Sequence, residues 1–227
     1  MKTILVVGAS RGLGLGLARE YANRGWSVIG TVRDAKPGQL HALAQEFSDR
    51  VRIETVDINM PEQVAALRQT LDGTRIDLLF VNAGIANGQG ETLPATSTEG
   101  FTQLLITNAL SPLRVMEAFV DLVPEDGVIA AMSSGLGSVA NNTIGGWEIY
   151  RASKASLNTL MRSFALRRGG QRSVLAIAPG WVRTDMGGPH ASLDIETSVR
   201  GMADTLTART GTPGSAYMNY LNQDLPW

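Results

Sequence analysis

Cysteine is absent from the 227-residue sequence, which removes disulfides, thiolate metal sites and thiol nucleophiles together. Histidine is nearly absent. His41 and His190 are too few for a histidine-rich zinc site, and each reads as a surface residue rather than as the base of a serine triad. Neither sign of charge is in excess: 20 basic residues face 21 acidic ones with no block of like charge, so nothing offers an electrostatic footprint to nucleic acid or to an anionic membrane. Long apolar runs are missing too. None approaches the ~20 residues of a membrane span, and Ile4 to Val7 is too short for the apolar region of a signal peptide. These absences predict a cytoplasmic protein, without nucleic-acid or membrane partners, that acts on small molecules.

What is present is apolar and periodic. A hydrophobic content of 44% in a chain of this length supports one packed core, and the expectation is one domain spanning residues 1–227. Short β-branched runs recur as "TILVVG" from Thr3, "SVIGTV" from Ser27, "VRIETV" from Val51, "IDLLFVN" from Ile76, "GVIAAMS" from Gly127 and "SVLAIAP" from Ser173. Such continuous apolarity suits strands buried on both faces. Between them lie stretches with helical spacing, including Leu13, Leu17 and Tyr21, then Leu40, Leu43 and Phe47, then Val64, Leu67 and Leu71. Alternation of this kind predicts an α/β fold, a doubly wound parallel sheet (Rossmann fold) of about seven strands with helices on both faces. Ligands of such sheets bind beyond the carboxyl ends of the strands. The polar or glycine-rich segments that follow each run are therefore the place to look for function.

The first of these segments is Gly8-Ala9-Ser10-Arg11-Gly12-Leu13-Gly14, between a strand and an amphipathic helix. Gly8 suits a tight turn, Gly12 a close approach of backbone to a pyrophosphate, and Gly14 close packing of helix on strand. The spacing is G-x-x-x-G-x-G, and the nucleotide-triphosphate pattern G-x-x-x-x-G-K-[ST] does not occur. Gly8, Ser10, Arg11, Gly12, Leu13 and Gly14 are thus candidate cofactor-binding residues. At the end of the second strand, where an acid would grip a ribose 2′-hydroxyl, stand Val32 and Arg33. Two guanidiniums, Arg11 and Arg33, suit a 2′-phosphate, so NADP(H) is expected over NAD(H). Asp34 keeps the alternative open.

With four tyrosines and three lysines in the chain, Tyr150 and Lys154 lie four apart in "EIYRASKASLN". On a helix that spacing stacks two side chains with about 5–6 Å between Cβ atoms. An ammonium about 4 Å from a phenol, at an effective dielectric near 20, contributes roughly 4 kcal/mol. That is enough to move the phenol about three units down from about 10, toward neutrality, where a proton donor works best.

The glycine loop, Asp57-Ile58, Asn82-Ala83-Gly84, Asn108, Ser134, Tyr150-x-x-x-Lys154 and Pro179-Gly180 occur in an order that resembles the short-chain dehydrogenase/reductase family over essentially the whole chain. Within it, "SSGLGSVANNTIGGWEIYRASKASLN", "RTDMGGPHASL" and "LPW" resemble the C-factor-like branch, which includes carbonyl reductases as well as a bacterial developmental signal. The resemblance implies a catalytic tetrad of Asn108, Ser134, Tyr150 and Lys154. Tyr150 would exchange the proton, Ser134 would hydrogen-bond the developing oxyanion, and Asn108 would hold a proton-relaying water. Lys154 would both lower the phenol pKa and bind the nicotinamide ribose.

By the same resemblance Asp57 receives the adenine amino group and Ile58 flanks the base. Asn82, Ala83 and Gly84 shape the adenine-ribose wall, and Pro179, Gly180, Val182 and Thr184 hold the nicotinamide and its carboxamide. Plainer readings stand beside these. Asp57 also reads as a helix cap, Asn82 and Pro179-Gly180 as turn formers, Asn108 as support for the break at Pro112, and Ser133 competes with Ser134 for the working hydroxyl. The chain departs from the family pattern at Val7, at Val81 and in the long loop "GSVANNTIGG".

The implied activity is NADP(H)-dependent hydride transfer between the nicotinamide and a carbonyl or secondary alcohol. A nucleotide-binding signalling or regulatory protein on the same fold is the alternative. A substrate pocket is expected from the segment after Gly84, Leu136, Trp147 and "MGGPH" from Met186. Apolar faces around Phe101 to Val120 and Leu157 to Leu166 suggest a homodimer or homotetramer.

Overall fold

A computed structural model describes residues 1–87 and 92–227. Seven strands form one sheet: β1 (Thr3–Val7), β2 (Ser27–Val32), β3 (Val51–Thr55), β4 (Leu78–Val81), β5 (Val128–Met132), β6 (Ser173–Ala178) and β7 (Gly214–Asn219). Their order is β3-β2-β1-β4-β5-β6-β7 and every adjacent pair is parallel. The helices that cross between them are α1 (Gly12–Asn23), α2 (Gln39–Glu46), α3 (Pro61–Thr70), α4 (Thr98–Leu105), α5 (Ser111–Phe119), α6 (Glu148–Arg168) and α7 (Ile195–Ala208). The doubly wound class expected from the strand-helix alternation is the one observed.

The period of two along each strand sorts the apolar residues onto two faces. On one face Leu5, Val7, Leu79, Val81, Ile129 and Ala131 meet Leu67 of α3, Met116 and Phe119 of α5, and Leu157, Met161 and Phe164 of α6. On the other, Ile4, Val6, Phe80, Ala130 and Leu175 meet Leu17 and Tyr21 of α1, Leu43 of α2, and Val199, Met202 and Leu206 of α7. Each such side chain, wholly buried, stabilises the fold by roughly 1.5–3 kcal/mol before the entropy of ordering it is subtracted. Both faces of the sheet are thus sealed, and the carboxyl edge is left for chemistry.

The winding reverses between β1 and β4. From β1 the chain builds outward through β2 and β3, then returns to place β4 on the other side of β1. The glycine loop after β1 and the Asn82 segment after β4 flank that crevice, where open α/β sheets bind ligands. The edge strand β7 carries no long apolar run: its first residues are exposed and only Tyr217 and Met218 are buried. β7 has β6 as its one full strand partner, and its outer side meets only the short antiparallel bridge between Met218 and Asp224. The unbroken apolarity that marks the inner strands is therefore not needed there.

Candidate active site

Three glycines of the first loop are required for three different reasons. A Cβ on Gly14 would fall 2.1 Å from the Gly8 carbonyl oxygen and 2.5 Å from Asn82 Nδ2, so α1 lies too close to the strand ends for any side chain there. Gly8 has φ +92°, and a Cβ on it would come within 2.9 Å of the Ala83 amide nitrogen. Gly12 is also left-handed, at φ +57°, yet the nearest atom to its would-be Cβ is Thr184 Cγ2 at 3.9 Å. Gly8 and Gly14 are therefore packing glycines, and Gly12 bares its backbone to open space at the start of α1.

That helix end suits an anion. Its first turn has no acidic residue and no side-chain cap, so the amides and the positive end of the helix dipole are free for a phosphate. The loop itself is pinned: Gly8 N donates to Thr31 Oγ1 at 2.9 Å, and Asn82 Nδ2 donates to the Gly8 carbonyl at 2.7 Å. Val32 is buried in the core, so Arg33, exposed just beyond β2, is the side chain presented at the position that distinguishes the two dinucleotides. The Asp34 carboxylate accepts from Lys36 N at 3.2 Å within its own turn. Arg11 reaches across to Asp185 at 2.7 Å, a pair open to solvent. A dinucleotide with a 2′-phosphate fits this set: bare backbone at Gly12, an uncapped helix end and two arginines.

The remaining binding candidates divide between cleft and core. Asp57 Oδ1 accepts from Asn59 N at 2.9 Å, closing a local turn and not capping α3, whose N-cap position is Met60. Ile58, 4% exposed, is packed in the core with Val56 and Val64. Val182 is equally buried and pairs with Leu193, so its side chain supports the segment rather than facing a ligand. Gly180 is left-handed at φ +84°, and a Cβ there would lie 2.5 Å from Leu193 Cδ1. The Pro179 carbonyl accepts from Ser198 Oγ at 2.7 Å, and Thr184 Oγ1 accepts from Gly187 N at 3.1 Å.

The four tetrad candidates converge from β5, α6 and the segment between α4 and α5. That segment, Ile106–Leu110, is a π-helical turn ahead of Pro112, and Asn108 at its centre is fully buried. A π turn widens the helix by one residue and re-aims a side chain, a device frequent at functional sites. Here Asn108 Oδ1 accepts from Ile85 N at 2.8 Å while Nδ2 donates to Ile85 O at 2.8 Å and to Ser153 Oγ at 3.0 Å. Gly84 lies beneath: a Cβ on it would stand 3.2 Å from Asn108 Oδ1 and 3.4 Å from Lys154 Nζ. Of the paired serines, Ser133 is turned into the core, its Oγ donating to Asn158 Oδ1 at 2.7 Å. Ser134 begins the following 3-10 turn, its Oγ accepting from Leu136 N, and its hydroxyl is near enough to Tyr150 to act on the phenol's pKa in the lowering direction.

The electrostatics depart from the expectation of a phenol lowered by its neighbour. Lys154 Nζ donates to the Met132 carbonyl at 2.8 Å and stands 5.8 Å from the centre of the Tyr150 ring. Burial pushes the Tyr150 phenol up to about 12, with the Ser134 hydroxyl acting in the opposite direction. Burial also brings the Lys154 ammonium down to about 8. Dehydration therefore dominates both groups, Tyr150 and Lys154 alike.

Around Tyr150 the cleft is apolar. Leu104, Ile149, Ile85, Ala86, Leu136 and Trp147 gather on it, and the Trp147 ring meets the Tyr150 ring edge-on with centroids 6.1 Å apart. Leu136 and Trp147 were expected there. Met186 is exposed, and residues 88–91 of the segment after Gly84 lie outside the described residues. Arg151 had not been singled out. Its guanidinium is buried and donates to Gly146 O at 2.8 Å and Gly145 O at 3.2 Å, holding a run of three left-handed residues that ends in Trp147 at φ +53°. Asn59 was missed as well: it joins the Asp57 turn to Thr107 at 3.0 Å and Ser111 at 2.8 Å, on either side of Asn108. A glycine pair four residues before a Tyr-Arg could have signalled the first; nothing local signals the second.

Comparison with known proteins bears on the family and the fold. The short chain dehydrogenase family model matches residues 2–192. The C-signal protein of Myxococcus xanthus is 38% identical over 159 residues, covering 67% of this chain and 93% of its own. A Burkholderia multivorans structure described as a short-chain dehydrogenase/reductase with bound NADP is 52% identical, with a TM-score of 0.97 over 100% of this chain and 99% of that one. A carbonyl reductase from Pseudomonas aeruginosa PAO1, in complex with NADP, is 38% identical with a TM-score of 0.93 and full coverage of both chains.

Proposed function

Because this chain belongs to the short-chain dehydrogenase/reductase family, we propose that it is an NADP(H)-dependent carbonyl reductase acting on small apolar aldehydes or ketones, and on the corresponding secondary alcohols in reverse. The observation that carries this reading is the Tyr150 phenol in an apolar recess, the neighbouring Ser134 hydroxyl acting to lower its pKa, with the Lys154 ammonium buried behind it. NADPH, when bound, supplies the hydride. Gly12, Ser10, Leu13 and the α1 amides would hold its pyrophosphate, Arg33 and Arg11 its 2′-phosphate, and Asp57 with Asn82 and Ala83 its adenosine. Pro179, Gly180 and Thr184 would hold the nicotinamide end.

The protein's own part is placement and proton transfer. Tyr150 Oη delivers the proton to the carbonyl oxygen in reduction and takes it back in oxidation. Ser134 Oγ, donating to the same oxygen, stabilises the negative charge that builds there. Lys154 contributes positive charge and a contact to the cofactor ribose. Asn108 braces the loop after β4, holding Gly84 and Ile85 beside Lys154. The flat, uncharged wall of Leu136, Trp147 and Ile85 favours an apolar substrate.

Oxidation of NADPH, followed by its absorbance across a panel of aldehydes and ketones, tests the proposal. Turnover on apolar carbonyls is expected; tight NADPH binding with no turnover on any would replace it with the regulatory reading. Self-association as a homodimer or homotetramer is part of the same proposal, although Val115, Met116, Phe119, Leu157, Met161 and Phe164 are used in the core. Phe101, Leu110, Leu160 and Leu166 are the large apolar residues left exposed on those segments, and light scattering reads the outcome. Among the described residues no helix is long and apolar enough to cross a membrane.

A further inference from the structure

Tyr217 on β7 is a buried phenol with no part in the proton transfer described above. Its hydroxyl donates to the backbone carbonyl of Ser134. The same carbonyl accepts from Gly137 N at 2.9 Å, and Leu136 N donates to Ser134 Oγ at 3.2 Å. A second anchor lies alongside: Asn158, which takes the Ser133 hydroxyl, donates through Nδ2 to Gly137 O at 3.3 Å. The turn that carries Ser134 is therefore fastened from β7 and from α6 at once.

Tyr217 is itself held by the Leu-Pro-Trp segment for which the proposed chemistry has no use. The Trp227 ring packs on the Tyr217 ring with centroids 5.5 Å apart, and Leu225 N donates to Tyr217 O at 2.7 Å. Arg162 of α6 covers Trp227 at 5.6 Å from its centroid, and Ala140 N, in the loop leading to Trp147, donates to Trp227 O at 3.4 Å. Burial holds the Tyr217 phenol at about 12, so it remains a donor throughout the pH range of an assay.

We propose that Tyr217, backed by Trp227, is a positioning residue for carbonyl reduction, fixing the Ser134 backbone so that Oγ meets both Tyr150 and the substrate oxygen. The inference rests on the carbonyl-reductase reading. Without the Tyr217 hydroxyl, Ser134 O keeps its bond from Gly137, so the fold loses one hydrogen bond while the serine loses a constraint on its aim.

The test is a double-mutant cycle. Tyr217→Phe is expected to lower kcat about tenfold, since small misplacements of reacting groups are costly, with the NADPH dissociation constant within about twofold of wild type. In a Ser134→Ala background, read by single turnover with enzyme in excess, Tyr217→Phe should cost nothing further, because the group it aims is gone. Trp227→Ala should follow Tyr217→Phe, and Trp227→Phe should restore most of kcat. Equal losses in both backgrounds, or a kcat unchanged by Tyr217→Phe, would overturn the inference. A wild-type protein that turns over no carbonyl would instead remove the functional reading on which it rests.

Discussion

Lys154 Nζ donates to the Met132 carbonyl at 2.8 Å while standing 5.8 Å from the centre of the Tyr150 ring, so the ammonium is anchored to β5 beside the phenol. Its charge is then sensitive to pH, because burial has brought it down to about 8. Below that value the ammonium is present; as pH rises through it, the charge is lost, well before Tyr150 itself ionises near 12. With NADPH saturating, kcat for carbonyl reduction is expected to be level below about pH 8 and to fall above it. A profile that stays flat to pH 10 would sink this assignment.

The same burial makes a stability prediction whose sign is fixed. Between about 8 and 10.5 the unfolded chain holds the Lys154 proton and the folded chain does not, so this group makes stability rise with pH across that window. Tyr150 and Tyr217 act oppositely above 10, where the unfolded phenols ionise and the buried ones, at about 12, do not. Lys154→Met is expected to abolish turnover without lowering the thermal midpoint at pH 7. Urea unfolding from pH 8 to 10 should then lose the rise seen in wild type.

Tyr150→Phe separates chemistry from binding. The phenol is 9% exposed and its ring packs against Trp147, Leu104 and Ile149, contacts that phenylalanine keeps. Loss of the proton donor is expected to lower kcat by about 10²–10⁴-fold, the range for a general acid. NADPH affinity should change little. Retention of near-wild-type rates would remove Tyr150 from the mechanism.

Arg33 and Arg11 should differ in their effect on cofactor choice. Arg33 is exposed beyond β2 and has no salt-bridge partner among the described residues, whereas Arg11 is paired with Asp185 at 2.7 Å. Arg33→Ala is expected to raise KM for NADPH by about 10–100-fold, the loss of one charge-assisted hydrogen bond, and to leave KM for NADH nearly unchanged. Asp185→Asn frees Arg11 and should tighten NADPH only a few-fold, since exposed ion pairs contribute about 0–1 kcal/mol. Parallel steady-state measurements with both cofactors read both effects.

The fold was legible because its inner strands are apolar on both faces, a pattern that "TILVVG" and "SVLAIAP" display without help from their neighbours. β7 was not, since an edge strand presents only Tyr217 and Met218 to the core. The candidate site was legible where one residue type is forced, as at Gly8, Gly14 and the Tyr150–Lys154 pair. It was illegible where the partner is distant in sequence: Tyr217 lies 83 residues from the serine whose carbonyl it holds, and Asn59 48 residues from Thr107. Spacing also could not foresee the raised Tyr150 pKa, which depends on how much water the fold removes and not on the distance along α6.

Two glycines two residues apart give the sharpest contrast between folding and binding. At Gly14 an added methyl would sit 2.1 Å from a backbone oxygen, an overlap that cannot relax without moving α1 off β1. Gly14→Ala is expected to cost about 3 kcal/mol or more and to lower the thermal midpoint sharply or prevent folding. At Gly12 the methyl would meet nothing nearer than 3.9 Å, and the penalty comes from φ +57°. That strain is about 1–2 kcal/mol, so Gly12→Ala should fold. The methyl would instead fill the open space over the first turn of α1, where the pyrophosphate is proposed to lie, and NADPH affinity should fall by an order of magnitude or more while the midpoint falls little. Calorimetry of both variants, each with and without NADPH, distinguishes the two roles; undiminished NADPH affinity in Gly12→Ala would move the phosphate site away from this loop.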